Sequence, residues 1–420
     1  MRPHRAGFVL VTVLAVCAPR PAQPMEGGPF RRAGRPADQP PPRLRRSAVA
    51  LAKAERVALH AVPGGREDRQ AQAASSAEGQ QPSQAAAARV RLVATGGTIS
   101  NRTGGRLTAE ELVQSMPGLE RYVRPEFEQF SNVASSELTL DQWLALARRL
   151  NEIFATDAGI SGLVVTSGTD TLEELAYFLN LTVRSEKPVV VVGSMRNPSA
   201  LGYEGAANLL EGFRVAASED ARGKGVLVVL NDEINAAREV TKTDALRLGT
   251  FQTRGYGVLG VIDADRAVFY RNVVKRHTAK SEFDVRSVTR LPRVDVLMVY
   301  QGADGDLIKA AADAGARGIV MAAAGAGATS GTQQAGITYA LKKGVLVVTT
   351  TRAGSGRIAP RRGPDAAQPA RSVTDPLTAF ERARRIAGED LSPVKARVLL
   401  MLALTRTTDP AEIQRMFLEY

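Results

Sequence analysis

One cysteine and three histidines serve all 420 residues, and both scarcities narrow the chemistry. Cys17 stands near the N-terminus, so no internal disulfide, cysteine nucleophile or cysteine-rich metal site is available to the region that reads as folded. Of His4, His60 and His277, only the last lies beyond residue 88. A Ser-His-Asp triad would have to be built on His277, which sits in the polar connector Lys275-Arg276-His277-Thr278. A zinc centre with several His or Cys ligands lacks the residues it needs. No metal and no cofactor is expected, and a hydrolase built from this sequence would draw its base from Lys, Tyr or a carboxylate. No apolar run approaches the roughly 20 residues of a spanning helix. A G-x-x-x-x-G-K-[ST] phosphate loop is missing, and Gly325-Ala-Gly327-Ala-Thr-Ser-Gly331 does not have the dinucleotide spacing.

What charge there is lies unevenly. The net charge is +12, and residues 1–88 hold 13 Lys/Arg against 6 Asp/Glu. The basic excess therefore sits mostly in a Pro-, Arg-, Ala- and Gln-rich stretch that reads as a solvated leader and spacer rather than a nucleic-acid reader. Met1–Ala18 has the order of a signal peptide: Arg2 and Arg5, the apolar run Phe8–Ala18, then Pro19. That order predicts a periplasmic or secreted protein, or a cytoplasmic one if translation starts further downstream. The fold is expected to begin near Arg89.

From Val90 onward strands and helices alternate. Apolar runs at Val90–Ala94, Gly162–Thr166, Pro188–Val192 and Gly225–Leu230 enclose helical patterns at Thr139–Phe154, Leu172–Leu181 and Glu204–Ala217. Such alternation predicts an α/β fold with a mainly parallel sheet flanked by helices. Val258–Tyr270 reads as an edge hairpin. Residues 271–292 lose periodicity and read as a linker, after which a smaller α/β pattern runs to the end. The predicted division is 1–88 leader and spacer, 89–270 large N-terminal domain, 271–292 linker and 293–420 smaller C-terminal domain.

Two stretches carry the candidate chemistry. Arg91-Leu-Val-Ala-Thr95-Gly-Gly-Thr98 and, about 70 residues on, Leu163-Val-Val-Thr166-Ser-Gly-Thr169-Asp170 each read as a buried strand breaking at glycine beside threonine hydroxyls. Ligands bind at that end of open α/β sheets. Gly96-Gly97 makes either a simple turn or an approach for backbone N–H groups toward a reacting carbonyl. Asp170-x-x-Glu173 by itself fits a helix capping box. Lys242, in Glu239-Val-Thr-Lys242-Thr-Asp244, is a candidate base for a threonine hydroxyl, though by itself it reads as a surface lysine.

Together these motifs resemble the bacterial-type L-asparaginases, the asparaginase/glutaminase family, in its type II-like form. The resemblance extends through Val192-Gly-Ser-Met195-Arg196, Val240-Thr-Lys-Thr243 and Lys395-Ala-Arg-Val-Leu-Leu400, and covers Val90–Tyr420. It implies a larger N-terminal and a smaller C-terminal α/β domain, a homotetramer, and hydrolysis of the side-chain amide of L-asparagine to aspartate and ammonia. Thr98 is then the nucleophile that forms the acyl-enzyme. Thr169, Asp170 and Lys242 form a second triad with Lys242 as proton acceptor. Ser135 holds the substrate's α-carboxylate, Ser136 lines the pocket, and backbone N–H groups near Thr98 and Ser194 receive the oxyanion. Three positions depart from the family pattern. Ser100-Asn-Arg-Thr-Gly-Gly-Arg106 lacks the lid tyrosine, residues 357–371 hold only Asp365 where a neighbouring subunit's glutamate is expected, and Ala326 replaces an asparagine. Tyr203 and the arginines of 357–371 are candidate substitutes, and altered substrate selectivity is expected. The alternatives are a broader glutaminase-asparaginase, the asparaginase-like subunit of a tRNA-dependent amidotransferase, and a degenerate member that binds amino acids without turnover.

Overall fold

A computed structural model describes residues 87–264, 266–360 and 378–420. The leader expected before Arg89 and Asp365 lie outside the described residues.

Strand β1 (Arg89–Gly96) pairs in parallel with β2 (Arg124–Val133) on one side and β3 (Ile160–Thr166) on the other. Beyond β3 come parallel β4 (Val189–Val192) and β5 (Val226–Leu230), then antiparallel β6 (Glu233–Ala236), β7 (Gly260–Ile262) and β8 (Ala267–Phe269). The spatial order is β8-β7-β6-β5-β4-β3-β1-β2. The expected hairpin is the edge pair β7–β8. Inner strands read as unbroken apolar runs because helices cover both faces; all four valines of β4 are buried.

Helices α1 (Ala109–Gln114) and α4 (Gly205–Ala217) cover one face through Leu112, Leu209 and Phe213. Helices α2 (Leu140–Thr156) and α3 (Leu172–Thr182) cover the other with Trp143, Leu150 and Phe178. A capping box starts α2, in which Thr139 Oγ1 accepts from Gln142 N–H while Gln142 Oε1 accepts from Thr139 N–H.

Strand β2 has no counterpart among the expected elements. Its sequence, Arg-Pro-Glu-Phe-Glu-Gln-Phe, is too polar to read as an apolar run. An edge strand needs only one covered face and tolerates proline. Across its ladder Glu126 takes Arg89 and Arg91 of β1, and Glu128 takes Arg149 of α2.

The second sheet is all parallel, in the order β9 (Val294–Met298), β10 (Gly318–Ala323), β11 (Leu346–Thr351), β12 (Arg385–Ala387). Helices α5 (Asp306–Asp313), α6 (Gln333–Lys342), α7 (Ala379–Ala383), α8 (Pro393–Ala403) and α9 (Pro410–Glu419) complete it. Helix α8 packs against both α3 and the strands β9 and β10, and it is buried on nearly every side.

Residues 271–292, read from the sequence as a linker, carry buried anchors. Phe283, Val285 and Leu291 are buried, and Phe283 packs at 5.0 Å on the Tyr420 ring. Arg148 of α2 donates to the Val285 and Val288 carbonyls. Apolar anchors spaced irregularly between charged residues give no period, which is why the segment reads as a linker. His277 is buried too, with Nδ1 2.9 Å from Thr278 Oγ1, and burial lowers its pKa.

Candidate active site

Strand β1 has its sequence successors β2 and β3 on opposite sides, and their crossover helices α1 and α2 lie on opposite faces. The carboxyl ends of β1 and β3 therefore form the switch point where the strand order reverses, the place where a crevice opens. Both threonine motifs end there.

The first threonine of each motif ties the two strand ends together. Thr95 N–H donates to Thr166 Oγ1 at 3.1 Å, and Thr95 Oγ1 donates to the Thr166 carbonyl at 2.6 Å. Both are fully buried, so neither hydroxyl is free for chemistry. Past them the backbone of Gly96 and Gly97 takes φ of +106° and +93°, a region closed to most side chains. A Cβ on Gly97 would lie 2.2 Å from the Gly168 nitrogen. The glycines thus make more than a turn: they allow the two loops to touch and bring the second threonines into one pocket.

That pocket is lined by Gly97, Thr98, Asn101, Arg106, Ala134, Ser135, Gly168, Thr169 and Asp170. Lys242 reaches it from a short antiparallel pair, Thr241–Lys242 with Phe251–Gln252. Its Nζ donates to Thr169 Oγ1 at 3.1 Å and to Asp170 Oδ1 at 2.7 Å. With 16% of its side chain exposed, Lys242 is not the surface lysine its sequence context suggests. Nor is Asp170 a helix cap: the N-cap of α3 is Thr171, without a side-chain cap bond, and the Asp170 carboxylate turns to the lysine instead. Glu173 Oε1 accepts from Thr241 Oγ1 at 2.9 Å and from Lys242 N–H at 3.2 Å. It fastens the lysine's strand to the helix that follows Thr169 and Asp170.

Thr98 begins the turn after β1 and is half-buried, and its hydroxyl has no hydrogen-bond partner among the described residues. Tyr203 comes near but donates to the Ile99 carbonyl at 2.9 Å. Ser135 is buried in the pocket wall, where a Cβ on Gly168 would meet its Oγ at 2.8 Å. Ser136 is exposed and outside the lining. Ser194 is fully buried, outside the lining, and donates through Oγ to the Arg196 carbonyl at 2.6 Å. Among the described residues no group of His, Cys, Asp and Glu could hold a metal ion.

Sequence reasoning missed Asn101, Arg106 and Glu173. The first two flank a tight hairpin in which Asn101–Arg102 pairs with Gly105–Arg106. The Thr103-Gly104 turn between them, with glycine at φ +84°, is the signal that would have found it.

Residues 89–275 match the family model described as asparaginase, N-terminal, and residues 293–417 match the glutaminase/asparaginase C-terminal domain. The chain belongs to the asparaginase family. A relative described as L-asparaginase 2 from Bacillus subtilis (strain 168) is 41% identical over 341 residues, covering 79% of this chain and 86% of the relative. A glutaminase-asparaginase from Pseudomonas fluorescens biotype A is 36% identical over 343 residues, covering 79% and 91%. The crystal structure of a probable cytoplasmic L-asparaginase from Campylobacter jejuni aligns with a TM-score of 0.72 at 39% identity, covering 79% of this chain and all of that one. In this asparaginase-family chain the hairpin at 101–106 stands where the sequence reading expects the lid, and Ala326 lies in the turn between Ala324 and Ala328, outside the pocket lining.

Proposed function

We propose that this chain hydrolyses the side-chain amide of L-asparagine to L-aspartate and ammonia through a threonine acyl-enzyme. The observation that carries the reading is the Lys242–Thr169–Asp170 cluster opening onto a pocket that also contains Thr98. An amine beside one hydroxyl, next to a second hydroxyl at a strand end, fits acyl transfer. Thr98 Oγ1 attacks the amide carbon, the hydroxyl proton ends on the amide nitrogen, and ammonia leaves as the C–N bond breaks and the ester forms. Water then attacks the ester, its proton passes through Thr169 to Lys242 and on to Thr98 Oγ1 as the ester C–O bond breaks, and aspartate is released. Asp170 orients the amine throughout, and Ser135 helps to seat the substrate. Ser136, Ser194 and the backbone N–H groups near Thr98 are proposed to assist binding and oxyanion stabilisation. The proposed division keeps 89–270 and 293–420 as domains, with the chain working as a homotetramer; light scattering on the purified protein checks the assembly. Export by the leader is checked by sequencing the mature N-terminus.

Thr98→Ala should abolish ammonia release from asparagine with the circular dichroism spectrum unchanged, and retained turnover would reject the nucleophile. Lys242→Met should lower kcat by about 100-fold or more, the usual scale for losing a general base. Glutamine is a second substrate to assay, since relatives carry the name glutaminase-asparaginase.

A further inference from the structure

We propose that Tyr203 is a positioning residue for Thr98: its phenol, carried on the loop before α4, fixes the turn that presents the Thr98 hydroxyl to the pocket. This rests on the reading of Thr98 as the nucleophile of an asparagine hydrolase. Thr98 stands in a tight turn between β1 and the hairpin at 101–106. The Gly97 and Thr98 carbonyls are held from within that segment, by the N–H groups of Ser100 and Asn101. The Ile99 carbonyl is held from across the chain, by the Tyr203 hydroxyl at 2.9 Å and a separation of 104 residues. The Ile99 side chain is fully buried in the layer under α1 and α4, where the Tyr203 ring and Leu107 also pack. The residue next to Thr98 is thus fixed at its side chain by packing and at its carbonyl by the phenol. Acyl transfer depends on such fixing, since attack requires the hydroxyl oxygen within about 3–3.5 Å of the amide carbon and aligned with it.

The loop that carries Tyr203 is itself fixed. Glu204 accepts from the N–H groups of Met195 and Arg196, and Arg196 Nη1 donates to the Gly202 carbonyl at 2.8 Å. Ala200 N–H donates to the Asn197 carbonyl at 2.9 Å. Ser199 Oγ accepts from Thr103 N–H at 2.8 Å, so the same loop grips the tip of the hairpin. The start of α4 is shaped around the phenol. A Cβ at Gly205 would overlap Tyr203 Cε2 and Oη, whereas a helix otherwise favours alanine over glycine. What needs glycine there is space for the ring. Burial, and then the Glu204 charge, raise the pKa of the phenol above its ordinary value, so it stays a protonated donor. It acts on the turn and makes no hydrogen bond to the Thr98 hydroxyl.

The test measures ammonia release from L-asparagine by the full-length protein, Tyr203→Phe, Gly205→Ala and the double variant. Tyr203→Phe keeps the ring and its packing and removes the donor alone. It should lower kcat about 10-fold, less than the roughly 100-fold of a 1 Å displacement, with KM changed by less than about twofold. The melting temperature should fall by no more than about 4 °C, the scale of one lost hydrogen bond. Gly205 lies outside the pocket lining, so Gly205→Ala should lower kcat by a similar factor only by pushing the phenol aside. The double variant should lose no more than about 10-fold, because both changes remove the same contact. A Tyr203→Phe kcat less than about threefold below the parent would overturn the proposal, as would a loss carried by KM alone or losses that multiply in the double variant. If Tyr203→Phe does not fold, Gly205→Ala with kcat less than about threefold below the parent overturns it equally. A parent that releases no ammonia, or full turnover in Thr98→Ala, would instead sink the underlying reading. An active parent that requires Thr98 leaves that reading standing when Tyr203→Phe is without effect, and only this proposal then falls.

Discussion

Lys395 is the buried cation on which the geometry of the site depends at a distance. The residue is 1% exposed, and Nζ donates to the Arg238 carbonyl at 3.0 Å and to the Val240 carbonyl. It faces Glu173 Oε2 at 3.8 Å, an oxygen with no hydrogen bond of its own. The other oxygen of Glu173 accepts from Thr241 Oγ1 and Lys242 N–H. Helix α8 thereby holds both ends of the turn that delivers Lys242. Lys395→Met would leave the Glu173 carboxylate buried with neutral donors alone, and Glu173→Gln would leave the ammonium with carbonyls alone. Each should cost about 3–5 kcal/mol, as for other broken buried pairs. The double variant Lys395→Met/Glu173→Gln buries no unpaired charge, so it should be more stable than the sum by about 2 kcal/mol or more. Urea unfolding of the four proteins at pH 7 measures this coupling. Burial pushes the Lys395 ammonium down to about 8, so the coupling should fade at pH 9.5 as the amine loses its charge. A displacement of Lys242 on the order of 1 Å should also cost kcat about 100-fold in each single variant. Additivity within about 0.5 kcal/mol, or single variants with kcat within threefold of the parent, would refute the argument.

Gly97→Ala places a methyl group against the Gly168 backbone at a φ of +93°, so it should lower stability by about 2 kcal/mol or more and remove activity; melting temperature and ammonia release check both. Arg238→Met breaks the buried pair with Asp390, whose carboxylate is bonded by Nη1 and Nη2 at 3.0 and 2.7 Å, and should cost about 3–5 kcal/mol in urea unfolding. Glu211 on α4 is pushed up to about 8, first by burial and then by its neighbour Asp232. Between its ordinary value of 4.5 and about 8 the folded state holds a proton that the unfolded state has released. Stability should therefore fall as pH rises through that window, by at most about 1.4 kcal/mol per pH unit for one proton. Glu211→Gln should flatten that slope in urea midpoints taken from pH 5 to 8, and an unchanged slope would reject the assignment.

The parts of the fold legible in the sequence are those buried on two faces. Val189–Val192 and Val226–Leu230 can be little other than inner strands, and the amphipathic run after Thr139 can be little other than a helix. What escaped notice is held by specific pairs rather than by a pattern. Strand β2 depends on arginine–carboxylate pairs across its ladder, and residues 271–292 depend on a few anchors such as Phe283. The site divides along the same line. Glycine next to threonine at a strand end is a local signal, so Thr98 and Thr169 stood out. Asp170 and Lys242 each carry an ordinary reading from their sequence neighbours, a helix cap and a surface lysine, whereas the two stand 72 positions apart and meet only in the folded chain. Arg106 was marked only by the Thr103-Gly104 turn of its hairpin, because its place in the pocket lining is made by the fold.

That difference bears on how the site is built. The strand ends supply hydroxyls through local pairing: two hydrogen bonds between Thr95 and Thr166, each using one threonine hydroxyl, fix the spacing, and Gly97 sets the approach. Reactivity needs a further group, and it comes from elsewhere in the chain. Lys242 is carried on a separate short strand, and its position follows from Glu173 on α3 and Lys395 on α8. The crevice rests on local pairing of adjacent strand ends, whereas the lysine's position depends on a buried charge pair between helices of the two sheets' layers. Variants along Glu173 and Lys395 should therefore change turnover.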